Sequence, residues 1–128
     1  MAPNKYSIKL VTDPVPGKDS AELLKALNEQ KLFLNPDLKR KDLAKAIGAS
    51  EEKVSYMLNS ELEVSFYELI NKLRAEEAKN QLDSGAANKL TMEAISTQSG
   101  FKSKTTFYKF FKGQFGVKPA DYLKNNPE

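Results

Sequence analysis

The stretch from Gly100 to Pro119 carries five lysines, five phenylalanines and one tyrosine, and it contains neither aspartate nor glutamate. Lysine side chains attract phosphate groups, whereas aromatic rings pack in a core or stack on the bases of nucleic acids. A cluster of positive charge with no acid nearby attracts a polyanion, which is nucleic acid or an anionic membrane. Binding of a polyanion would require a fold that presents these lysines on its surface.

Other kinds of chemistry have little support in the sequence. The chain has no histidine and no cysteine, which removes the usual general base, the usual zinc ligands and every thiolate site. We find no paired-carboxylate motif and no glycine-rich phosphate loop. The protein is therefore expected not to be an enzyme and to need no cofactor and no metal. The lack of cysteine fits a cytoplasmic location.

The net charge of +3 is spread unevenly along the 128 residues. The first 35 residues hold five basic and four acidic side chains, and residues 36–83 hold eight basic and ten acidic ones. Residues 84–128 hold seven basic and three acidic side chains. Because basic side chains predominate only in the last third, we expect a polyanion to be attracted mainly there.

The spacing of apolar residues predicts seven helices and no strand. Residues 1–18 contain three prolines and a glycine without a sustained period, so we expect a flexible tether there and a folded domain at 19–126. Asp19 or Ser20 is expected to cap the first helix, which then runs through Leu32. The predicted fold class is all-α, a seven-helix bundle.

Two segments share the pattern of a helix-turn-helix, which needs a small residue at the helix crossing and a glycine at the turn. Ala44 and Gly48 occupy these positions in the first segment, and Ser96 and Gly100 occupy them at the same spacing in the second. The predicted elements are a first helix-turn-helix at about 39–60, a linker helix at about 65–82, a second helix-turn-helix at about 91–112 and a final helix at about 119–125.

The chain resembles the DNA-binding domain of the AraC/XylS family of bacterial transcription regulators. The resemblance rests on "DLAKAIGASEEKVSYMLN", on "SFYELINKLRAEEAKNQL" and above all on "GFKSKTTFYKFFKGQFGVKPADYL". The last segment is similar to the family signature of Gly-Phe, a Phe-x-x-x-Phe-Lys helix, a glycine and then Pro-x-x-Tyr. The chain departs from the family at Glu63, where a glycine is usual, at Ser96 and Ser99, where small apolar residues are usual, and at Leu123, where an arginine is common.

The resemblance implies a sequence-specific DNA-binding domain of a transcription regulator with homeodomain-like helix-turn-helix pairs. The implied partners are double-stranded DNA, RNA polymerase and a sensor domain fused or tethered to this chain. The chain looks most like the version in sensor-linked regulators of Bacteroidetes, in which "KYSIKL" would join the missing sensor. No cofactor and no membrane contact by this segment are implied.

The second recognition helix is expected to follow Ser103, which should cap it. The five phenylalanines of this region are assigned to the core, because helix-turn-helix recognition does not require base stacking. Lys109 and Thr105 should point away from the buried rings, and Tyr108 should lie toward the rim. The expected DNA-binding residues of this helix are Lys102, Ser103, Lys104, Thr105, Tyr108, Lys109 and Lys112.

The first recognition helix begins with two glutamates, and its outward face carries small polar side chains. Ser55 and Asn59 could hydrogen-bond to base edges, and Glu52 could accept from a cytosine amino group. Glu51 is more simply explained by a favourable interaction with the helix dipole. The expected DNA-binding residues of this helix are Ser50, Glu52, Ser55, Tyr56 and Asn59.

Two basic residues of the linker helix, Lys72 and Arg74, are candidates for phosphate contacts and equally for ordinary surface charge. Two other classes of function stay open at this point. A helical protein-interaction module that docks RNA polymerase or a partner subunit would explain the acidic start of the first recognition helix. A small enzyme would need catalysis by carboxylates, lysine or tyrosine alone.

Overall fold

The computed structural model describes residues 18–125, and all regular structure in this range is helical. The all-α prediction is therefore confirmed, whereas the tether expected at 1–18 falls outside the described residues except for Lys18. No helix between residues 18 and 125 is long and apolar enough to cross a membrane. The helices of this range are α1 (Lys18–Glu29), α2 (Arg40–Ile47), α3 (Glu51–Tyr56), α4 (Phe66–Asp83), α5 (Met92–Gln98), α6 (Lys104–Phe115) and α7 (Pro119–Asn125).

The first helix differs from expectation at both ends. It begins at Lys18, so neither Asp19 nor Ser20 precedes it as a cap. Ser20 instead lies buried in the first turn, and its hydroxyl donates to the Glu61 carboxylate. The helix ends at Glu29, and Leu32 belongs to a separate 3-10 turn, Leu32–Leu34. This turn follows Lys31, whose left-handed backbone (φ 49°) stops helical continuation.

The chain divides into two compact units, of which the first ends at Leu69. Within it, α1 packs against α2 and α2 packs against α3. The buried apolar side chains of this unit are Leu, Val, Ala and Met apart from Phe33, as expected where helical periodicity places such residues on one face. The core residues from these helices and their connections are Leu23, Leu24, Leu27, Phe33, Leu43, Ala44, Val54, Met57, Leu58 and Leu62.

The first recognition helix does not end as a plain α-helix. After Tyr56 the chain widens into a π-turn, Met57–Glu61, in which the Leu62 N–H donates to the Met57 carbonyl at 2.8 Å. Glu63 then adopts a positive φ of 55°. A left-handed backbone favours glycine, which is what the related family usually has at this position.

The second unit begins at Ile70 and is built around aromatic rings. Its core consists of Ala75, Ala78, Leu82, Ile95, Phe101, Phe107 and Phe111. Phe110 and Phe115 are partly buried against this core, so all five phenylalanines of the basic stretch contribute to it. Two small polar residues, Ser96 and Ser99, are also buried, and within the described residues the Ser99 hydroxyl has no hydrogen-bond partner.

Candidate nucleic-acid interface

The turn of the second helix-turn-helix is fixed by its backbone. Gly100 has a φ of 102°, a conformation that glycine adopts without steric cost. The Phe101 N–H donates to the Ser96 carbonyl at 3.1 Å, which closes the turn over the small residue of α5. Ser103 then caps α6, because its Oγ accepts from the Thr106 N–H at 3.1 Å. The direction in which α6 leaves the turn is thereby set.

The inner face of α6 is a stack of aromatic rings. The Phe107 ring centroid lies 5.3 Å from that of Phe101 and 5.9 Å from that of Phe111, and both pairs are in the range of favourable ring contacts. Phe111 also contacts Phe115 at 4.8 Å and Tyr122 at 5.7 Å between centroids. These rings hold the helix to its core, in which Phe101, Phe107 and Phe111 are buried.

The outer face of the same helix is positive and exposed. Exposed side chains expected to bind DNA are Lys102, Ser103, Lys104, Thr105, Lys109 and Lys112. Tyr108 is half-buried, with its ring 5.5 Å from that of Phe107, which places it at the rim between the two faces. The Lys109 Nζ lies 5.6 Å from the centroid of the Phe110 ring, within the range of a cation–π interaction.

Ser103 has a second contact that bears on its expected role. Its hydroxyl donates to Thr106 Oγ1 at 2.9 Å while its oxygen accepts the backbone N–H of the same residue. A direct contact to DNA would compete with this capping arrangement. The structure therefore gives Ser103 a structural function, and its contact with DNA stays a prediction.

The first helix-turn-helix has the same turn with different side chains. Gly48 has a φ of 70°, and the Ala49 N–H donates to the Ala44 carbonyl at 2.9 Å. Ser50 caps α3 through its Oγ, which accepts from the Lys53 N–H at 3.1 Å. Like Ser103, Ser50 is exposed but is already engaged as a cap, so its contact with DNA also stays a prediction.

The outward side chains of α3 and its π-turn are a mixture of acid, phenol and amide. Glu52 and Asn59 are exposed, Tyr56 is 57% exposed, and Ser55 is half-buried. The exposed set lies on the face opposite Val54, Met57 and Leu58. The structure brings the expected reader residues of this helix to one surface, as base readout in a groove requires.

The two candidate phosphate-binding residues of the linker helix α4 differ in their burial. Lys72 is half-buried, whereas Arg74 is only 8% exposed and donates from its guanidinium to Asn71 Oδ1 at 3.2 Å. Arg74 is therefore not an ordinary surface charge. The helical spacing contains the signal, since Arg74 lies four residues after the buried Ile70 and four before the buried Ala78.

A basic group that the sequence reasoning did not select lies at the start of α2. Lys39, Arg40 and Lys41 are all exposed, and they line a shallow cleft of about 420 Å³ together with Glu51 and Phe66. The first unit thus has positive charge close to its acidic recognition helix. Three consecutive basic residues were the signal available in the sequence.

The end of α4 is joined to α7 by a polar network that was also not expected. Lys79 Nζ donates to Asp83 Oδ2 at 2.8 Å, and the Tyr122 hydroxyl donates to Asp83 Oδ1. Burial alone would raise the pKa of Asp83, but the bonds from Lys79 and Tyr122 hold it below its ordinary value of 3.8. The bond to Asp83 raises the pKa of Lys79, and burial followed by the same carboxylate raises the pKa of Tyr122. The network thus links the last turn of α4 to α7.

Comparison with known proteins agrees with this geometry. Residues 43–125 match the model of a family described as "Helix-turn-helix domain". The chain is also similar to the C-terminal domain of AraT, a response regulator from Geobacillus stearothermophilus, with 26% identity and a TM-score of 0.68. That match covers 86% of this chain and 87% of the other.

A second similar structure supports the fold alone. It is a protein of unknown function from Listeria innocua, 22% identical, with a TM-score of 0.66. The match covers 82% of this chain and 94% of that one. Comparison with curated proteins gave no significant match.

Proposed function

Since the chain belongs to the AraC-type helix-turn-helix family, we propose that its two recognition helices read two adjacent major-groove segments of double-stranded DNA. The chain is a DNA-binding transcription regulator domain. We further propose that the two units contribute differently to DNA binding, through different residues.

The observation that carries this proposal is the two-sided construction of α6. Its rings are buried against the core of the second unit, and its exposed face holds lysines without a single acid. Lysines at this density neutralise phosphates and release counterions, which gives most of the sequence-independent affinity for DNA. We assign the phosphate contacts of the second unit to Lys102, Lys104, Lys109 and Lys112.

The first unit is proposed to supply discrimination between sequences. Ser55 and Asn59 can donate to and accept from base edges, and Glu52 can accept from the amino group of a cytosine. The two glutamates at the start of α3 weaken its attraction to phosphates, so its net contribution to affinity should be the smaller one. The basic residues Lys39 and Lys41 at the start of α2 offset part of that repulsion.

The proposed target is a pair of half-elements in direct repeat. Helix α4 has 18 residues and, at ~1.5 Å per residue, is about 27 Å long. Successive major-groove segments on one face of DNA lie about 34 Å apart, a span that modest bending of the DNA shortens. One chain can therefore be expected to engage two neighbouring segments, with Lys72 close to the intervening phosphates.

The further partners are inferred from the class of protein. A transcription regulator works on DNA in the cytoplasm, affects RNA polymerase and responds to a signal, which a sensor domain fused or tethered to this chain would supply. We propose no catalytic role, because a regulator domain of this kind acts by binding alone.

A second function has one observation in its favour. Glu51, Glu52 and the 57% exposed Tyr56 give the first recognition helix a surface that a protein partner such as polymerase could bind. If that is the main function, DNA affinity should show little dependence on sequence.

The decisive experiment is selection of bound oligonucleotides from a random pool, followed by affinity measurements over a range of salt concentrations. We expect two enriched half-elements about one helical turn apart and a steep loss of affinity as salt increases. Absence of any enriched sequence, with a protein that remains folded, would favour the protein-interaction function.

A matched pair of variants sharpens that experiment. Replacing Lys104, Lys109 and Lys112 together by glutamine should flatten the salt dependence by about one unit of slope for each phosphate that is no longer neutralised. The control replaces three exposed lysines on other elements, Lys25, Lys89 and Lys124, and removes the same net charge. Equal reductions of slope in both variants would mean that only the total charge matters and that α6 is not the phosphate-binding element.

A further inference from the structure

A side-chain hydrogen bond, partly buried, links the end of the first recognition helix to α1. Ser20 is completely buried in the first turn of α1, and its hydroxyl donates to Oε1 of Glu61, the last residue of the π-turn. A buried hydroxyl needs a partner, and a charged acceptor makes the stronger kind of hydrogen bond. The Ser20–Glu61 hydrogen bond therefore holds the first turn of α1 close to the end of the π-turn that follows α3.

The π-turn that Glu61 completes carries side chains on the DNA-facing surface. Asn59 and Ser60 are exposed, while Met57 and Leu58 are buried beneath them. The backbone hydrogen bonds here span more residues than the four of an α-helix: the Leu62 N–H donates to the Met57 carbonyl at 2.8 Å, and the Val64 N–H donates to the Leu58 carbonyl at 2.9 Å. π-Turns inside helices are rare and occur frequently at functional sites.

We propose that the Ser20–Glu61 hydrogen bond is a positioning contact that maintains the π-turn and thereby sets the direction in which Asn59 and Ser60 face the DNA bases. The proposal rests on the DNA-binding function proposed above. Glu61 itself touches no base, and it acts through the backbone of the turn. Removal of the hydrogen bond lets the turn revert toward α-helical spacing, which rotates the residues after Met57 around the helix axis.

Two features separate this inference from the general packing of α1. Helix α1 already has buried leucines, Leu23 and Leu27, that attach it to the unit without Ser20. It also lies before residues 43–125, the part of the chain that matches the family model, whereas Glu61 lies within that part. Because the Ser20–Glu61 bond lies at the end of the π-turn, we expect it to affect the orientation of Asn59 and Ser60 more than the packing of α1.

The test compares Ser20→Ala and Glu61→Ala with the unsubstituted chain in two measurements. The first is amide hydrogen exchange at Leu62 and Val64, which we expect to become about two- to tenfold faster, the range that one hydrogen bond supports. The second is oligonucleotide selection, in which base preference should change at one position of the half-element read by the first unit. The half-element read by the second unit should remain as it is.

Two further variants serve as controls. Glu61→Gln removes the same charge as Glu61→Ala but keeps an oxygen that accepts from Ser20, so it should restore both the slow exchange and the original base preference. Glu29→Ala removes an exposed glutamate at the opposite end of α1 and should change neither measurement.

The outcomes separate this inference from the proposed function. Unchanged exchange at Leu62, or an equal weakening of both half-elements, would overturn the positioning role. If the unsubstituted protein selects no sequence, the proposed DNA function fails, and the exchange comparison alone still decides whether Ser20 and Glu61 maintain the π-turn.

Discussion

The two helix-turn-helix units share one backbone plan and fill it with different chemistry. Gly48 and Gly100 both make their turns with positive φ, and Ser50 and Ser103 both cap the helix that follows. The first unit surrounds its recognition helix with aliphatic side chains and begins that helix with acids. The second surrounds its helix with aromatic rings and gives it lysines. Turn geometry is thus independent of the surface that the turn presents.

This difference explains the composition of the basic stretch. An aromatic core lets a short helix bury much area with few residues, since each ring buries more surface than an aliphatic side chain. The remaining positions of α6 are then available for lysine. In α3 the buried residue is Val54, and the exposed positions carry hydrogen-bonding groups. We infer that one unit is specialised for attraction and the other for discrimination.

The largest expected effect tests the aromatic core of the second unit. Phe107→Ala should reduce the free energy of unfolding by about 3–5 kcal/mol, because a fully buried ring leaves a cavity when it is truncated. Phe110→Ala, at a partly buried ring, is the control and should have a smaller effect. Urea denaturation measures both. A Phe107 variant of full stability that has lost only DNA affinity would show that the ring contacts DNA.

The turn of the second unit should tolerate substitution poorly. Gly100→Val places a β-branched side chain at a φ of 102° and should destabilise the protein by about 1–3 kcal/mol. Gly113→Ala, inside α6 where the backbone is helical, is the matched control and should stabilise slightly. An unchanged melting temperature for Gly100→Val would contradict the turn geometry.

The division of labour predicts different kinds of binding defect in the two units. Asn59→Ala should change the preference at one base position by about 1–3 kcal/mol with little change in the salt dependence. Lys109→Ala should weaken binding to all sequences and lower the magnitude of the salt slope by about one unit. Titrations on preferred and scrambled DNA distinguish the two. The comparison fails if Asn59→Ala alters the salt slope or Lys109→Ala alters the preferred sequence.

A gain of stability is expected where the first unit lacks a glycine. Glu63 has a φ of 55°, so Glu63→Gly relieves backbone strain and should stabilise by up to about 1 kcal/mol, reduced by the greater entropy of the unfolded chain. The same change at Glu52, within α3, should destabilise by about 1 kcal/mol. Thermal unfolding of both variants shows whether each substitution raises or lowers the stability. A destabilised Glu63→Gly protein would contradict the proposed strain at Glu63.

The smallest effect concerns the polar network of the second unit. Because Asp83 has a lowered pKa when folded, its contribution is present above the ordinary value of 3.8 and is lost as the pH falls through the lower folded value. The contribution of Lys79 is lost at high pH, as the pH rises through its raised pKa. Asp83→Asn should therefore cost a few tenths of a kcal/mol at neutral pH, and this cost should disappear as the pH falls through the lowered pKa of Asp83. A cost that stays constant as the pH is lowered would show that charge is not the cause.

Local signals in the sequence were sufficient for most of the helical architecture. Gly48, Gly100, Ser50 and Ser103 each act on their own turn or cap through backbone conformation or one short-range hydrogen bond. Such effects depend on residue type and a spacing of a few positions. Glu63, which stands where the family usually has a glycine, has a positive φ that was not predicted from the sequence.

Structural features that depend on distant partners could not be predicted in the same way. Ser20 has the residue type of a cap but is the donor to Glu61, 41 positions away, and the sequence gives no sign of that pairing. The charge of Arg74 suggests a surface position, although its helical spacing puts it on a buried face. Asp83 and Tyr122 are 39 positions apart and meet only because α7 packs against the end of α4.

The sequence by itself determined the all-helical class, the two turns, the inward placement of the rings and the concentration of lysines on one helix. These follow from backbone preferences and from the period of the helix, which operate within a few residues. Only the tertiary structure decided the π-turn after Tyr56, the burial of Arg74 and the bond between Ser20 and Glu61. Each of these features depends on which side chains become buried when the helices pack. Burial is a property of the folded unit rather than of any single segment.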